Sequence, residues 1–242
     1  AGSWSAWQNG DMALEILDDS RLERILVVVA HPDDAEYGIS CAAKQWTDAG
    51  KEVAYLLVTA GEAGIRSLPP EECGPLRAEE QRRACAAVGV EDLEILDFPD
   101  GLVEASPQVR WAIAAKIRKF QPDTVAIMMY GLQARWGLNH VDHRAVGVST
   151  IGAIRDTDNP WIFQDLGLPA YKAQRLLVAN DLDSTHVQTL SEDAVAGGVA
   201  SVSEHKRYLE ELPDHPRPED FIPQMVALDG GYGLWVRVYD SV

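Results

Sequence analysis

Basic residues are scarce in this sequence. Its 242 residues include 21 Lys and Arg against 38 Asp and Glu, so the formal net charge is −17. Such a charge repels phosphate backbones and anionic lipid headgroups, and we expect neither nucleic acid nor a membrane as a partner. Long apolar runs are also missing, since none approaches the roughly 20 residues needed to span a bilayer. Residues 1–5 have no basic start and no apolar stretch, so no signal peptide is predicted there.

Cysteine is scarce too. Cys41, Cys73 and Cys85 have neither CxxC spacing nor the density of a disulfide framework. We therefore expect reduced thiols in a cytoplasmic protein, with Cys41 and Cys85 in helices.

The remaining composition is typical of a globular chain with a large core, because 46% of the residues are hydrophobic and 24% are charged. Along the first two thirds, strand patterns alternate with helix patterns. This order implies right-handed βαβ crossovers. We predict an α/β, Rossmann-like, mostly parallel sheet flanked by helices. We expect a single domain over 1–242, with a core at about 22–155 and an irregular region at about 156–242 that caps the mouth of the site.

The element bounds follow from these patterns. Strands are predicted over 25–30, 53–59, 93–96, 124–129, 175–179 and 233–239. Helices are predicted over 39–49, 76–88, 107–120, 193–212 and from 141 or 142 to 154. A loop is expected over 60–75, and prolines are expected to break the chain over 213–223.

A histidine and two adjacent carboxylates, His31, Asp33 and Asp34, follow the first predicted strand. The carboxyl ends of parallel strands form the edge of a sheet where ligands bind. A second cluster, with His140 and His143, follows the strand at 124–129. Together these two segments predict one divided metal site.

Zinc in a hydrolytic site takes three protein ligands and leaves one position open for water. His31, Asp34 and His143 could supply the three ligands, since Pro32 restricts the turn after the strand. His140 and His143 can face one side of a helix start, so only one of them needs to bind metal.

Three other side chains suit the chemistry of amide hydrolysis. Asp33 could take a proton from water at the metal. His140 could donate to the oxyanion as a charged group or protonate the leaving amine. Asp142 could hydrogen-bond an imidazole and fix its tautomer. Considered alone, Asp33 and Asp34 could be a helix N-cap or part of a turn, and His31 could be an ordinary loop residue. The presence of the second cluster, with His140 and His143, favours the metal site.

The stretch A-H-P-D-D at 30–34, with H-x-D-H at 140–143, resembles the PIG-L/LmbE-like family of zinc-dependent de-N-acetylases. Further matches are T-A-G-E-A-G at 59–64, R-A-E-E at 77–80 and D-F-P-D-G at 97–101. The likeness spans at least residues 25–150. It implies that His31, Asp34 and His143 bind zinc, that Asp33 is the general base and that His140 stabilises the tetrahedral intermediate.

The resemblance also implies contacts to substrate hydroxyls from Arg77 and Asp100. Arg77 could instead pair with a carboxylate at its helix start, and Asp100 could belong to a simple turn. Trp136 could stack on a sugar face or pin its own loop. Glu62 could contact substrate or solvent.

Two departures from the family pattern bear on the subgroup. Family members often have Glu directly after the second Asp, where this chain has Ala35 and then Glu36. They commonly have Pro between the downstream His and Asp, where this chain has Val141. Neither change removes a predicted ligand or the base.

Three further histidines are expected outside the site. His186 is predicted to be an ordinary loop residue, His205 to be structural or exposed in the long helix, and His215 to be solvated among prolines.

The sequence thus predicts a zinc-dependent hydrolase that removes an acetyl group from an N-acetylated amino sugar. The alternatives are an amidase acting on a sugar-linked thiol conjugate, and a non-catalytic sugar- or metal-binding protein. Ferrous iron or cobalt could replace zinc at such an N/O site. A homo-oligomer is compatible with the resemblance.

Overall fold

The computed structural model describes residues 14–134 and 137–242. Within these residues, nine strands form one sheet and two short strands form a separate hairpin. The strands are β1 (Glu15–Ile16), β2 (Arg24–Val29), β3 (Glu52–Leu57), β4 (Asp92–Ile95), β5 (Thr124–Met128), β6 (Gln133–Ala134), β7 (Gly137–Leu138), β8 (Arg175–Ala179), β9 (His186–Leu190), β10 (Ala227–Leu228) and β11 (Gly231–Asp240). The helices are α1 (Ser40–Asp48), α2 (Pro70–Ala87), α3 (Pro107–Phe120), α4 (Val141–Thr157), α5 (Glu192–Val202), α6 (Lys206–Glu210) and α7 (Pro218–Met225).

The sheet has the order β1-β9-β11-β8-β5-β2-β3-β4, with β10 paired to β11. Strand β2 lies between β3 and β5 and runs parallel to both. Strand β11 runs antiparallel to β8 and β9. The predicted mostly parallel α/β fold is therefore confirmed.

Strand β2 is buried on both faces, which explains its continuous apolar run. Ile25, Val27 and Val29 point to one face, and Leu26 and Val28 point to the other. The first face is covered by α1, α2, α5 and α7 through Trp46, Cys85, Val195 and Ile222. The second is covered by α3 and α4 through Ile113, Ile117, Ala153 and Ile154. The end of β2 is thus a fixed platform for residues 31–34.

The C-terminal third is more regular than predicted. It supplies β8, β9 and β11 to the same sheet, which supports the proposal of a single domain. Strand β9 was not predicted, and His186 begins it rather than lying in a loop. Strand β9 pairs with β11, and Val187 lies opposite Trp235. These two residues are far apart in the sequence, so the local sequence pattern does not reveal the pairing.

Two helix predictions were wrong in their bounds, and one helix was not predicted. Helix α2 begins at Pro70 rather than at residue 76, because proline is well suited to the first turn of a helix. The predicted loop over 60–75 is shorter as a result. The helix predicted over 193–212 is broken into α5 and α6, and buried His205 lies at the break. Helix α7 forms within the proline-rich segment, with Pro218 in its first turn.

Cys41 and Cys85 lie in helices as predicted, and the three cysteines are free and buried. Among the described residues, no helix is both long enough and apolar enough to cross a membrane.

Candidate metal and catalytic site

The chain turns sharply after β2, and Asp34 closes the turn. The Oδ2 atom of Asp34 accepts hydrogen bonds from the backbone N–H groups of Ala30 at 3.0 Å and His31 at 2.8 Å. Asp33 has a φ of +83°, a left-handed conformation that Asp tolerates better than most residues. The two neighbouring carboxylates therefore have different surroundings.

The carboxylate of Asp34 lies between two imidazoles. His31 Nδ1 is 3.4 Å from Asp34 Oδ2, and His143 Nε2 is 2.9 Å from Asp34 Oδ1. His143 lies in the first turn of α4, which begins beyond β5 at the same edge of the sheet as the end of β2. The structure thus brings together the three predicted metal ligands.

Each of these imidazoles is held from behind by its other ring nitrogen. His31 Nε2 lies 3.1 Å from Asp142 Oδ2 and 3.0 Å from Asp100 Oδ1. His143 Nδ1 lies 3.0 Å from Asn139 Oδ1. Metal-binding histidines are usually oriented in this way, with the free nitrogen aimed at the ion. Two imidazoles and one carboxylate form a donor set that suits zinc, so the residues fit a divalent metal ion.

Asp142 and Asn139 are themselves firmly placed. The carboxylate of Asp142 accepts from the backbone N–H groups of Gly101 at 2.7 Å and Val103 at 3.1 Å. The side-chain amide of Asn139 donates to the carbonyls of Met129 at 3.0 Å and Gly131 at 3.1 Å. Sequence reasoning assigned Asn139 no role, although its place directly before His140 was a usable signal.

In the described residues, two groups of side chains have possible ligand atoms that all lie within 4.8 Å of one another: His31 with His140 and His143, and His31 with Asp100 and Asp142. Neither group includes Asp34. His140 caps the start of α4, and its Nδ1 accepts the backbone N–H of Asp142 at 3.2 Å. Each carboxylate oxygen of Asp142 accepts a backbone N–H, whereas both backbone donors to Asp34 bind Oδ2 and leave Oδ1 facing His143. We therefore favour the set that contains Asp34.

The charges in this cluster shift its proton equilibria. Burial opposes the charged form of His31, but Asp34, Asp100 and Asp142 outweigh it and raise the pKa of His31 to about 12. Burial also opposes the charge of Asp34, but His143 and His31 hold the pKa of Asp34 well below its ordinary value. Burial raises the pKa of Asp33, although Arg77 opposes this shift. The metal-free cluster is therefore a buried network of ion pairs.

Arg77 contacts Asp33. Its Nη2 donates to Asp33 Oδ1 at 2.8 Å and to the carbonyl of Pro32 at 2.6 Å, and its Nη1 donates to the carbonyl of Gly61 at 3.2 Å. The ring of Tyr208 lies 4.1 Å from the guanidinium carbon. Only 2% of Arg77 is exposed, so the contact seen here is with a carboxylate rather than with the open mouth of the site. A contact with substrate stays a prediction.

Glycines in the 59–64 motif make room for Arg77. A Cβ atom at Gly61 or at Gly64 would overlap the guanidinium group. Gly61 also has a φ of +65°, which favours glycine. The motif therefore has a packing reason as well as a family resemblance.

The other predicted substrate residues join two loops. Glu62 Oε1 accepts the backbone N–H of Asp100 at 2.8 Å, and Asp100 Oδ2 accepts the backbone N–H of Ala63 at 2.9 Å. Asp100 therefore reaches His31 from a braced loop. Trp136 lies outside the described residues.

The remaining histidines lie apart from the two imidazoles at Asp34. His186 is 3.5 Å from Glu15 in the neighbouring strand. His215 is half-buried against the rings of Tyr37 and Phe221 rather than solvated. His205 is buried, and its Nε2 is 3.6 Å from Glu36 Oε2.

The fold and the site define an α/β protein with a candidate metal centre at the carboxyl edge of a parallel sheet. A sequence model of the PIG-L family, described as GlcNAc-PI de-N-acetylase, matches residues 26–154. The chain belongs to this family, as the sequence motifs predicted.

Curated relatives include two deacetylases. The chain is 33% identical over 135 residues to diacetylchitobiose deacetylase of Thermococcus kodakarensis, covering 55% of this chain and 49% of that protein. It is 30% identical over 175 residues to 1D-myo-inositol 2-acetamido-2-deoxy-alpha-D-glucopyranoside deacetylase of Kineococcus radiotolerans, covering 59% of this chain and 47% of that protein. The chain spans about half the length of the curated relatives it matches.

A solved structure shares the fold. The N,N'-diacetylchitobiose deacetylase of Pyrococcus horikoshii superposes with a TM-score of 0.80 at 22% identity, over 92% of this chain and 86% of that one. At this level of identity, the likeness shows the fold alone.

Proposed function

We propose that this protein is a metal-dependent hydrolase that removes an acetyl group from a small N-acetylated amino sugar. The observation that carries the proposal is the convergence of His31 and His143 on Asp34, with each ring held from behind. The curated relatives support the substrate class, because both are named as deacetylases and one name describes an acetamido sugar.

His31, Asp34 and His143 would hold the ion. When bound, a divalent ion supplies Lewis-acid chemistry, which polarises an amide carbonyl and acidifies water. Zinc suits the donor set, and ferrous iron or cobalt would also fit it.

Two residues of the chain would move protons. Asp33, next to the ligand Asp34, would take the proton of the attacking water. In His140, the backbone N–H of Asp142 occupies Nδ1, so the neutral ring carries its proton on Nε2. That N–H would donate to the oxyanion from an exposed position at the start of α4. A cytoplasmic location agrees with the free, buried cysteines.

The test is amine release from a panel of N-acetylated sugars. Protein as purified is compared with chelator-treated protein and with zinc-restored protein. Release that stops on chelation and returns with zinc would support the proposal. Bound zinc without release from any acetamide would contradict it and would favour the binding-protein alternative.

A substitution tests the base. Asp33→Asn keeps a residue that tolerates positive φ, so zinc content should be unchanged while kcat falls by at least about 10²-fold. Asp165→Asn is the matched control, since Asp165 is exposed and accepts from Trp111 Nε1 at 2.8 Å. Full turnover by Asp33→Asn would exclude Asp33 as the base.

A further inference from the structure

Gln81, in α2, contacts the backbone of Asp33 from inside the protein. Its Oε1 accepts the Asp33 N–H at 3.1 Å, and its Nε2 donates to Glu36 Oε1 at 2.9 Å. Both Gln81 and Glu36 are buried. We propose that Gln81 and Glu36 form a clamp that holds Asp33 in its left-handed conformation, and that Gln81 is a positioning residue for the base. This inference rests on the proposed function.

Asp33 needs such support because a positive φ is uncommon outside glycine. A residue in a sparsely populated conformation stays there when its surroundings over-determine it. The carbonyl of Asp33 accepts from the backbone N–H groups of Glu36 at 3.0 Å and Tyr37 at 3.2 Å. Its side chain is held by Arg77. The bond from Gln81 adds a hold on its N–H, and these contacts together aim the carboxylate.

Glu36 accepts from the other end of the Gln81 amide. The backbone N–H of Asp33 can only donate, so the Gln81 amide oxygen must face it, and the NH₂ group then faces Glu36 Oε1 at 2.9 Å. If the amide were flipped, the Gln81 NH₂ group would face the backbone N–H of Asp33, and neither donor would have an acceptor. Glu36 is placed in turn by Ser201 Oγ, 3.3 Å from Oε1, and by His205 Nε2, 3.6 Å from Oε2. The break between α5 and α6 thus puts His205 at the outer end of the clamp.

The first test is Gln81→Met, which keeps the length of the side chain and removes its hydrogen bonds to Asp33, to Glu36 and to Cys85 Sγ. We expect kcat to fall by about 10²-fold through misplacement of Asp33, with KM and bound zinc unchanged. Amide hydrogen exchange in a peptide covering residues 31–36 should become faster. The exchange measurement does not depend on turnover.

Gln45→Met is the matched control. Gln45, in α1, also bridges two backbone groups: it donates to the carbonyl of Thr189 at 2.9 Å and accepts the N–H of Ser191 at 3.0 Å. These partners lie at the end of β9 and the cap of α5, away from Asp33. We expect wild-type kcat and wild-type exchange at 31–36 for this variant.

An exchange of the two functional groups gives a second test. Gln81→Glu alone sets two carboxylates face to face and should lose activity. Glu36→Gln combined with Gln81→Glu restores an acceptor at position 81 and a donor at position 36, so kcat should recover at least about tenfold over Gln81→Glu. This pair decides the matter if Gln81→Met does not fold.

The clamp is wrong if Gln81→Met matches Gln45→Met in kcat and in exchange, or if the double variant is no better than Gln81→Glu. If the wild-type protein releases no amine from any acetamide, the proposed function fails. The exchange at 31–36 then still tests the clamp.

Discussion

Asp142 Oδ2 lies 3.1 Å from His31 Nε2, although 111 positions separate the two residues in the sequence. The same carboxylate accepts the backbone N–H groups of Gly101 and Val103, in the loop after β4. Asp142 therefore connects two loops and the start of α4, and it orients His31 from a fixed position.

Replacing this carboxylate by an amide should weaken metal binding. In Asp142→Asn, the NH₂ group replaces an oxygen that now faces the backbone N–H of Gly101 or Val103 or the ring of His31. At least one donor then loses its acceptor, and the His31 ring is held less firmly. We expect affinity for zinc to fall by about 10–100-fold, measured by competition with a chelator of known affinity. Asp165→Asn should bind zinc as the wild type does. An unchanged affinity in Asp142→Asn would show that His31 needs no support from Asp142.

The stability of the metal-free protein should fall as pH rises above neutrality. Burial opposes the charged form of His31, but Asp34, Asp100 and Asp142 raise its pKa to about 12, from an ordinary value of 6.5. Its contribution to stability is therefore complete below pH 6.5 and is lost as pH rises from 6.5 towards 12. The slope for one such group is at most about 1.4 kcal/mol per pH unit.

Urea unfolding between about pH 7 and 9 checks this expectation. The free energy of unfolding should decrease less steeply with pH in metal-free His31→Gln than in the metal-free wild type. In the zinc-loaded protein, His31 and His143 should instead contribute stability that increases with pH, because imidazoles must lose their protons to bind metal. Metal-free stability that is flat or rises over this range would contradict the ion-pair network at His31.

Much of this site could be predicted from the sequence because its residues follow parallel strands. His31 follows β2 and His143 follows β5, and neighbouring parallel strands end at one edge. The contacts of Arg77 with Asp33 and of Glu62 with Asp100 could not be assigned, since they depend on loop paths that periodicity does not encode. The break near His205 escaped prediction because a helical pattern runs through it.

Asn139 should be essential for holding His143. Asn139→Ala removes the acceptor of His143 Nδ1 and leaves the carbonyls of Met129 and Gly131 without this donor. We expect a loss of about 1–3 kcal/mol in the free energy of unfolding and weaker zinc binding. Asn159→Ala is the control, because Asn159 is exposed beyond the C-terminal end of α4 and its side chain accepts the backbone N–H of Trp161 at 2.9 Å. Wild-type zinc affinity in Asn139→Ala would mean that α4 alone orients the ring.

Gly61→Ala and Gly50→Ala separate backbone strain from displacement of Arg77. Both glycines have positive φ, +65° at Gly61 and +81° at Gly50, so each alanine should cost about 1–2 kcal/mol in the free energy of unfolding. A Cβ at Gly50 meets no atom within 4 Å, whereas one at Gly61 overlaps the guanidinium of Arg77.

Gly61→Ala should therefore lose more stability than Gly50→Ala in urea unfolding, and it alone should lower kcat. The reason is that Arg77 can make room for the methyl group only by moving away from Asp33, to which it donates at 2.8 Å. Equal stability losses with unchanged kcat in both variants would show that Arg77 moves without disturbing Asp33. In that case the arginine would not hold the base in place, and its contact with Asp33 would reflect packing rather than positioning.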